Sequence, residues 1–413
     1  MEYGLIGEHL GHSYSKEIHQ VIADYEYELK EIAPEDIDAF MKAKDFKAIN
    51  VTIPYKQTVI PYLDQIDPAA AAIGAVNTIV NKDGRLYGYN TDFAGMNALA
   101  DRLGLDFKGK KVLICGTGGT SLTARAVAKE RGAGEVYRLS RGEKEGTITY
   151  EAAVRDHRDA AIIINTTPSG MFPKTEGIPI DLEEFEQLEG VMDAVYNPLR
   201  TNLILKAQAR KIPAEGGLYM LSAQAVVACG HFLDREVSPE EIEKAFKHVA
   251  AQKKNIVLTG MPSCGKTTVG NRLAERLGRE LIDTDQIFEK NAGMKISEFV
   301  SKYGEKAFRD GESEAVKEAA GASGAIIATG GGAVLRSENI NALKHDGIIV
   351  FIDRPLEMLI TTDDRPFSSS RRALEQRFNE RYGIYRGTCD AEVDGSLSID
   401  EVAGKVIAAA GIF

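Results

Sequence analysis

The chain has 413 residues, about three folding units at the usual one to two hundred residues each, which excludes a single small module. Hydrophobic residues make up 44% and charged residues 27%, an ordinary globular composition that excludes disordered and collagen-like readings. With 50 basic against 61 acidic side chains the net charge is −11, which disfavours nucleic acid as the main partner, and no stretch approaches the roughly 18 apolar residues of a membrane span. The opening MEYGLIGEHLG lacks the basic and apolar regions of a signal peptide, so a cytoplasmic chain is expected. Cys115, Cys229, Cys264 and Cys389 form no CxxC pair and suggest neither a zinc ribbon nor a disulfide framework.

Along the chain, short apolar runs alternate with longer amphipathic stretches. YGLIG, KAINVTI, KKVLICG, AAIIIN, NIVLTG, GAIIAT and GIIVFI are rich in β-branched residues, the pattern of α/β units around mostly parallel sheets. A main boundary is expected near residue 252, where the charged KHVAAQKKN precedes a fresh glycine-terminated strand from Asn255 to Gly260. A second division falls at about residue 100, where KGKKVLICGTGG opens a nucleotide-type unit.

In the first region the chemistry lies in GHSYS, NVTIPYK, GAVNT and GYNTD. Ser13, Ser15, Thr52, Asn77 and, much later, Gln224 offer neutral hydrogen-bonding groups suited to a polyhydroxylated ring, although singly such residues are ordinarily turn or cap residues. Lys56 and Asp92 are the reactive pair: reducing a ketone with hydride needs a proton donor for the carbonyl oxygen, and a carboxylate can position the ammonium group. The bland alternative is an ordinary lysine and a helix N-cap aspartate ahead of FAGMNALADRLG.

The second region, KGKKVLICGTGGTSLTARAVAKERGAGEVYRLSR, reads as strand, glycine turn, helix and second strand, the start of a dinucleotide-binding unit. Gly116 and Gly118 match G-x-G, Gly119 and Thr120 join them as candidate cofactor contacts, and Ser121 stands at the third glycine position. The second strand ends in Ser140 and Arg141 rather than an acid; an arginine suits the 2′-phosphate of NADP, so NADP is favoured over NAD.

Together these motifs resemble shikimate dehydrogenase over residues 1 to about 250. HSYS matches the family's HSxS, with Lys16 where a proline usually follows; NTTPSGM, VYNPLRTNLI and GGLYMLSAQA complete the order. The resemblance implies that Lys56 and Asp92 are the catalytic pair, that Tyr196 and Gln224 touch substrate, and that Gly217 lies beside the nicotinamide. It also implies a discontinuous substrate-binding domain, residues 1–100 with 218–250, around a Rossmann-like NADP domain, residues 101–217. NADPH would reduce 3-dehydroshikimate to shikimate there.

The third region opens with GMPSCGKT at 260–267, fitting G-x-x-x-x-G-K-[ST] between an apolar strand and the helical TTVGNRLAERLG. Such a loop wraps phosphates with its N–H groups, which makes Ser263, Cys264, Gly265, Lys266, Thr267 and Thr268 candidate ATP contacts, with the Thr267 hydroxyl a ligand for Mg²⁺. Downstream stand LIDTD with Asp283 and Asp285, GEKAFRDGE with Arg309, ATGGGAV with Gly330, Gly331 and Gly332, DDRPF with Arg365, and ERYGIYR with Arg381. In this order and spacing the set resembles shikimate kinase over about residues 254–413, a P-loop domain with a parallel sheet. The resemblance implies that Asp283 helps hold Mg²⁺, that Asp285 contacts and activates the shikimate hydroxyl, that Arg309 and Arg381 hold the shikimate carboxylate, that Gly331 approaches the ring, and that Arg365 sits on a lid and binds ATP by stabilising charge on the transferring phosphates. Two departures are visible. LITTDDRPFSSS lacks the arginine that many members carry just before the lid, and GSLS follows AEVD where an adenine-stacking arginine often stands.

The product implied for the first site is the substrate implied for the second, so the chain reads as a fused bifunctional enzyme of the shikimate pathway using NADP(H), ATP and Mg²⁺. Two alternatives stay open. One is a quinate/shikimate dehydrogenase joined to a looser small-molecule kinase; the other keeps one half only as a ligand-sensing module, which the retained Lys56, Asp92, Lys266, Asp283 and Asp285 argue against.

Overall fold

The computed structural model describes residues 1–11, 13–360 and 370–412. The chain divides into two compact units, Met1–Ala250 and Ala251–Phe413. Among the described residues the strands form three sheets.

The first sheet holds β1 (Tyr3–Gly7), β2 (Tyr27–Glu31), β3 (Ala48–Val51), β4 (Gln65–Ile66), β5 (Thr78–Lys82) and β6 (Arg85–Tyr89), in the order β2-β1-β3-β5-β6-β4. β1 runs parallel to β2 and β3, but β5 is antiparallel to both β3 and β6. Mostly parallel pairing holds with β5 as the local exception, and between β5 and β6 the reason is a two-residue turn. Asp83 and Gly84 both take positive φ, 52° and 83°, the conformation that folds a strand tightly back on itself.

The second sheet holds β7 (Lys111–Cys115), β8 (Glu135–Ser140), β9 (Ile148–Thr149), β10 (Ile162–Asn165), β11 (Gly190–Asp193) and β12 (Ala214–Glu215). All its pairings are parallel. From one edge the order is β9-β8-β7-β10-β11-β12, the doubly wound 3-2-1-4-5-6 arrangement. Its strand order reverses between β7 and β10, so a crevice for a dinucleotide opens beyond their carboxyl ends. The helix Leu218–Leu233, apolar almost all round, is buried against both sheets' surroundings. Tyr219 and Met220 join Met96, Leu99 and Ile114, while Leu218, Leu221 and Ala225 join Tyr14 and Ile18.

Asp193, which ends β11, is fully buried and accepts hydrogen bonds from Thr201 Oγ1 (2.6 Å), Val195 N (2.9 Å) and Asn165 Nδ2 (2.9 Å). Burial outweighs these bonds and pushes its carboxyl from the ordinary 3.8 up to about 7. Between those values the folded chain keeps a proton that the unfolded chain releases, so the stability from this group is full below the lower value and lost as pH rises through the upper one. The thermal midpoint is expected to fall from pH 5 to pH 8, and Asp193→Asn, which can reverse the Thr201 bond and keep the other two, should remove much of that slope. An identical slope in the variant would contradict this.

The second unit holds β13 (Asn255–Thr259), β14 (Leu281–Asp283), β15 (Ile326–Ala328), β16 (Gly347–Asp353) and β17 (Ala391–Asp394), all parallel in the order β14-β15-β13-β16-β17. Central β13, NIVLT, is buried at every position, which is why it reads as an unbroken apolar run rather than an alternating one. Among the described residues no helix is long and apolar enough to cross a membrane.

Candidate active sites

In the first unit Lys56 Nζ lies 2.5 Å from Asp92 Oδ2, with the two side chains 18% and 6% exposed. Asp92 is not the helix cap. Asn90 caps the helix Thr91–Arg102, its Oδ1 accepting from Phe93 N (3.3 Å), which leaves the Asp92 carboxylate for the ammonium. Asn77 fixes this helix start: its Oδ1 accepts from Thr91 N at 2.7 Å and its Nδ2 donates to Thr91 Oγ1 at 3.2 Å. The Lys56 carbonyl accepts from Val76 N (2.8 Å), tying the lysine loop to the same strand entry.

Ser13 Oγ donates to Ser15 Oγ (3.1 Å), and between them the Tyr14 ring meets Tyr196 at 5.2 Å, so Ser13–Ser15 and the distant Tyr196 share one place. Thr52 follows β3 and presses on Gly7, where a side chain would meet its methyl at 2.6 Å. Gly95, one turn after Asp92, lets the helix Leu218–Leu233 approach: a Cβ there would meet Met220 O at 2.6 Å and Gln224 Cβ at 3.2 Å. Gln224 Oε1 is buried with no partner among the described residues. A buried acceptor without a donor is costly, and a hydroxyl-bearing ligand would satisfy it.

At the crevice of the second sheet, Gly116 (φ 108°) turns the chain out of β7 beside Thr166 and Thr167 after β10. Gly118 caps the helix Gly119–Glu130 without a side-chain bond, and a Cβ on Gly118 or Gly119 would meet only open space. These residues fit a dinucleotide: a helix starts here without a side-chain cap beside open space, and the first-turn N–H groups of a helix suit a phosphate. Ser121, at the third glycine position, is buried with Oγ bonded to Gly118 O at 2.6 Å. Ser140 spends its hydroxyl on Gly142 O (2.5 Å) and Thr147 Oγ1 (2.8 Å), shaping the loop, while Arg141 is exposed. Lys144, which no motif announced, reaches Thr117 Oγ1 in the glycine turn at 3.4 Å and brings a second positive charge to the site. Gly217 caps the helix Leu218–Leu233 and presses so closely on Ala194 O that no side chain fits.

In the second unit Gly260 (φ 145°) and Gly265 (φ 101°) bracket the loop after β13. Lys266 Nζ, nearly buried, is held by the carbonyls of Gly260 (2.9 Å) and Met261 (3.0 Å). Cys264 is buried with the core, and its Sγ lies under the loop, 3.8 Å from Lys266 Nζ. Thr267 and Thr268 stand in the first turn of the helix Lys266–Leu277. Thr267 Oγ1 donates to Asp283 Oδ2 (3.1 Å), while Asp283 Oδ1 caps the next helix through Asp285 N (2.9 Å). Asp283 thus caps a helix with one oxygen and meets the Thr267 hydroxyl with the other. A hydroxyl beside a carboxylate fits Mg²⁺, which takes one or two protein oxygens and completes its shell with phosphates and water.

The triple glycine is where the acceptor residues converge. A side chain on Gly330 would meet Asp285 Oδ1 at 2.5 Å and Glu312 Oε1 at 2.9 Å, one on Gly331 would meet Pro262 at 3.0 Å, and one on Gly332 would overlap the Arg309 guanidinium. Gly331 O accepts from Arg381 Nη1 (2.9 Å) and from the Tyr385 hydroxyl. Arg309 is paired with Glu312 (2.7 Å) and Glu305 (3.0 Å); burial pushes the Glu312 carboxyl up and the Arg309 guanidinium pulls it back. Arg381 is 3% exposed and its Nε has no partner among the described residues, an opening for a carboxylate. Arg365 lies outside the described residues.

The first unit is thus a doubly wound dinucleotide-binding fold beside a lysine–aspartate pair, the build of an oxidoreductase, and the second is a P-loop kinase fold with a cationic acceptor site. Residues 5–79 match the family model "Shikimate dehydrogenase substrate binding domain", and residues 262–410 match "Shikimate kinase". A curated NADP(+) shikimate dehydrogenase from Clostridium perfringens is 34% identical over 244 residues, covering 55% of this chain and 90% of the relative. A solved chorismate mutase/shikimate 5-dehydrogenase fusion from Clostridium acetobutylicum is similar at TM-score 0.56 and 31% identity, covering 60% of this chain and 96% of that one. The shikimate 5-dehydrogenase of Thermus thermophilus, solved with NADP(H) and shikimate, is similar at TM-score 0.54 and 27% identity, covering 60% and 99%. The chain belongs to the shikimate dehydrogenase family, and its second unit carries a shikimate kinase domain.

Proposed function

We propose that the chain is a cytoplasmic bifunctional enzyme that reduces 3-dehydroshikimate to shikimate and phosphorylates the 3-hydroxyl of shikimate. NADPH supplies the hydride and ATP the phosphoryl group. In the first unit Ser13, Ser15, Thr52, Asn77, Tyr196 and Gln224 orient the ring, and Lys56, held by Asp92, gives its proton to the carbonyl oxygen as that oxygen gains charge. The domains run as 1–100 with 218–250 for this substrate, 101–217 for the dinucleotide and 254–413 for the kinase. In the second unit Arg309 and Arg381 hold the ring carboxylate as guanidinium forks, Asp285 orients the hydroxyl and takes its proton, and Lys266 with the loop N–H groups steadies the phosphates. The observation that carries the reading is the convergence of Asp285, Arg309 and Arg381 on Gly330–Gly332 in a chain whose other unit pairs Lys56 with Asp92.

The second reading, a dehydrogenase equally active on quinate, is separated by initial rates of oxidation. With NADP⁺, shikimate is expected to be oxidised with kcat/KM at least about tenfold above quinate, and NAD⁺ should be the poorer coenzyme because Arg141 and Lys144 favour the 2′-phosphate. Equal rates on both ring acids would move the assignment to that second reading.

A further inference from the structure

The acceptor residues of the kinase unit lie at the β14 and β15 ends, on one side of β13; the β16 and β17 ends lie on the other. On that second side Leu356–Thr362 contains no arginine before the lid segment, and Gly395–Ser398 none after β17. Arg354, the first residue after β16, stands there instead. Its Nη1 is 3.9 Å from the point where a side chain on Gly265 would begin, so the guanidinium lies against the residue that caps the helix Lys266–Leu277. Gly395 makes this placement possible: its N–H donates to Asp353 O at 2.7 Å, and a Cβ there would meet Arg354 Cβ at 3.2 Å.

The charge at this point is unbalanced. Arg354 Nε is buried without a partner, and no hydrogen bond or ion pair neutralises the guanidinium among the described residues. The neighbouring Asp353 carboxylate accepts from the Tyr382 hydroxyl (2.9 Å), and Lys266 is held by neutral carbonyls. Among the described residues neither the Arg354 guanidinium nor the Lys266 ammonium forms an ion pair, and both stand by the positive end of a helix, an arrangement that an anion stabilises.

Resting on the kinase reading, we propose that Arg354 binds the phosphate chain of the nucleotide from the β16 side, supplying the charge that other arginines supply elsewhere. The guanidinium faces the phosphate loop itself, which makes the ligand the phosphate chain rather than the base.

The test is calorimetric binding of ADP and of inorganic pyrophosphate to the full chain and to Arg354→Gln, with the KM for shikimate in phosphorylation at saturating ATP as the control, because the first unit binds shikimate as well. Wild type is expected to bind both ligands, and the variant to bind them about tenfold more weakly with that KM unchanged. Equal ADP affinity would overturn the assignment and leave the kinase reading standing. A loss seen with ADP but not pyrophosphate would overturn it in favour of a contact to the base, and a parallel rise in the KM for shikimate would overturn it in favour of a structural role. A wild-type chain that binds no ADP would overturn the kinase reading and this assignment together. Should Arg354→Gln unfold, Arg354→Lys carries the test: a loss of threefold or more in ADP affinity is expected, and an unchanged affinity contradicts.

Discussion

Lys56→Ala is expected to lower kcat for the reduction of 3-dehydroshikimate by about 10³-fold, inside the range of roughly 10²–10⁴ that a positioned proton donor supplies. The ammonium lies 2.5 Å from Asp92 and mostly out of water, so no other described contact of the pair replaces it. The KM for NADPH should hardly move, because the crevice at Gly116–Thr120 is built on a different sheet. Asp92→Asn should cost less, since the lysine remains but loses the charge that orients it. Steady-state kinetics with both substrates varied checks this, and full turnover by Lys56→Ala would remove the pair from the mechanism.

The second large effect is expected at Asp285. Asparagine keeps the main-chain bond from residue 285 to Asp283 Oδ1, so the helix cap and the Thr267–Asp283 contact survive, and only the carboxylate beside Gly330 is lost. Phosphorylation of shikimate by Asp285→Asn should fall by about 10²-fold or more, as loss of a proton acceptor implies, with ADP affinity unchanged. Reduction of 3-dehydroshikimate by the same variant should be intact, which provides the internal control. A variant retaining normal kinase turnover would show that Asp285 only shapes the pocket.

Much of this was legible in the sequence where function is concentrated in short segments. The phosphate loop needs glycine, lysine and threonine at fixed spacing between a strand and a helix, so GMPSCGKT announced both itself and β13. What could not be read depends on neighbours remote in sequence. Asn90 rather than Asp92 caps its helix, a choice between two good capping residues that only the Lys56 partnership decides. Ser140 ends β8 as a candidate NADP contact, and the bond of its hydroxyl to Thr147 in the following loop is one that the sequence does not announce. The antiparallel β5–β6 pair hid behind a strand-helix rhythm that is otherwise regular, although Asp83-Gly84 was its signal. Lys144 and Arg354 gain meaning only when a loop and a parallel neighbour bring them to a glycine turn.

The central claim is that one chain carries both activities, and the most direct measurement supplies the purified full chain with 3-dehydroshikimate, NADPH, ATP and Mg²⁺ and identifies the products by mass spectrometry. Shikimate 3-phosphate is expected when both cosubstrates are present, and shikimate alone when ATP is withheld. Shikimate that accumulates unphosphorylated with ATP present, or 3-dehydroshikimate that is never reduced, would contradict the bifunctional account.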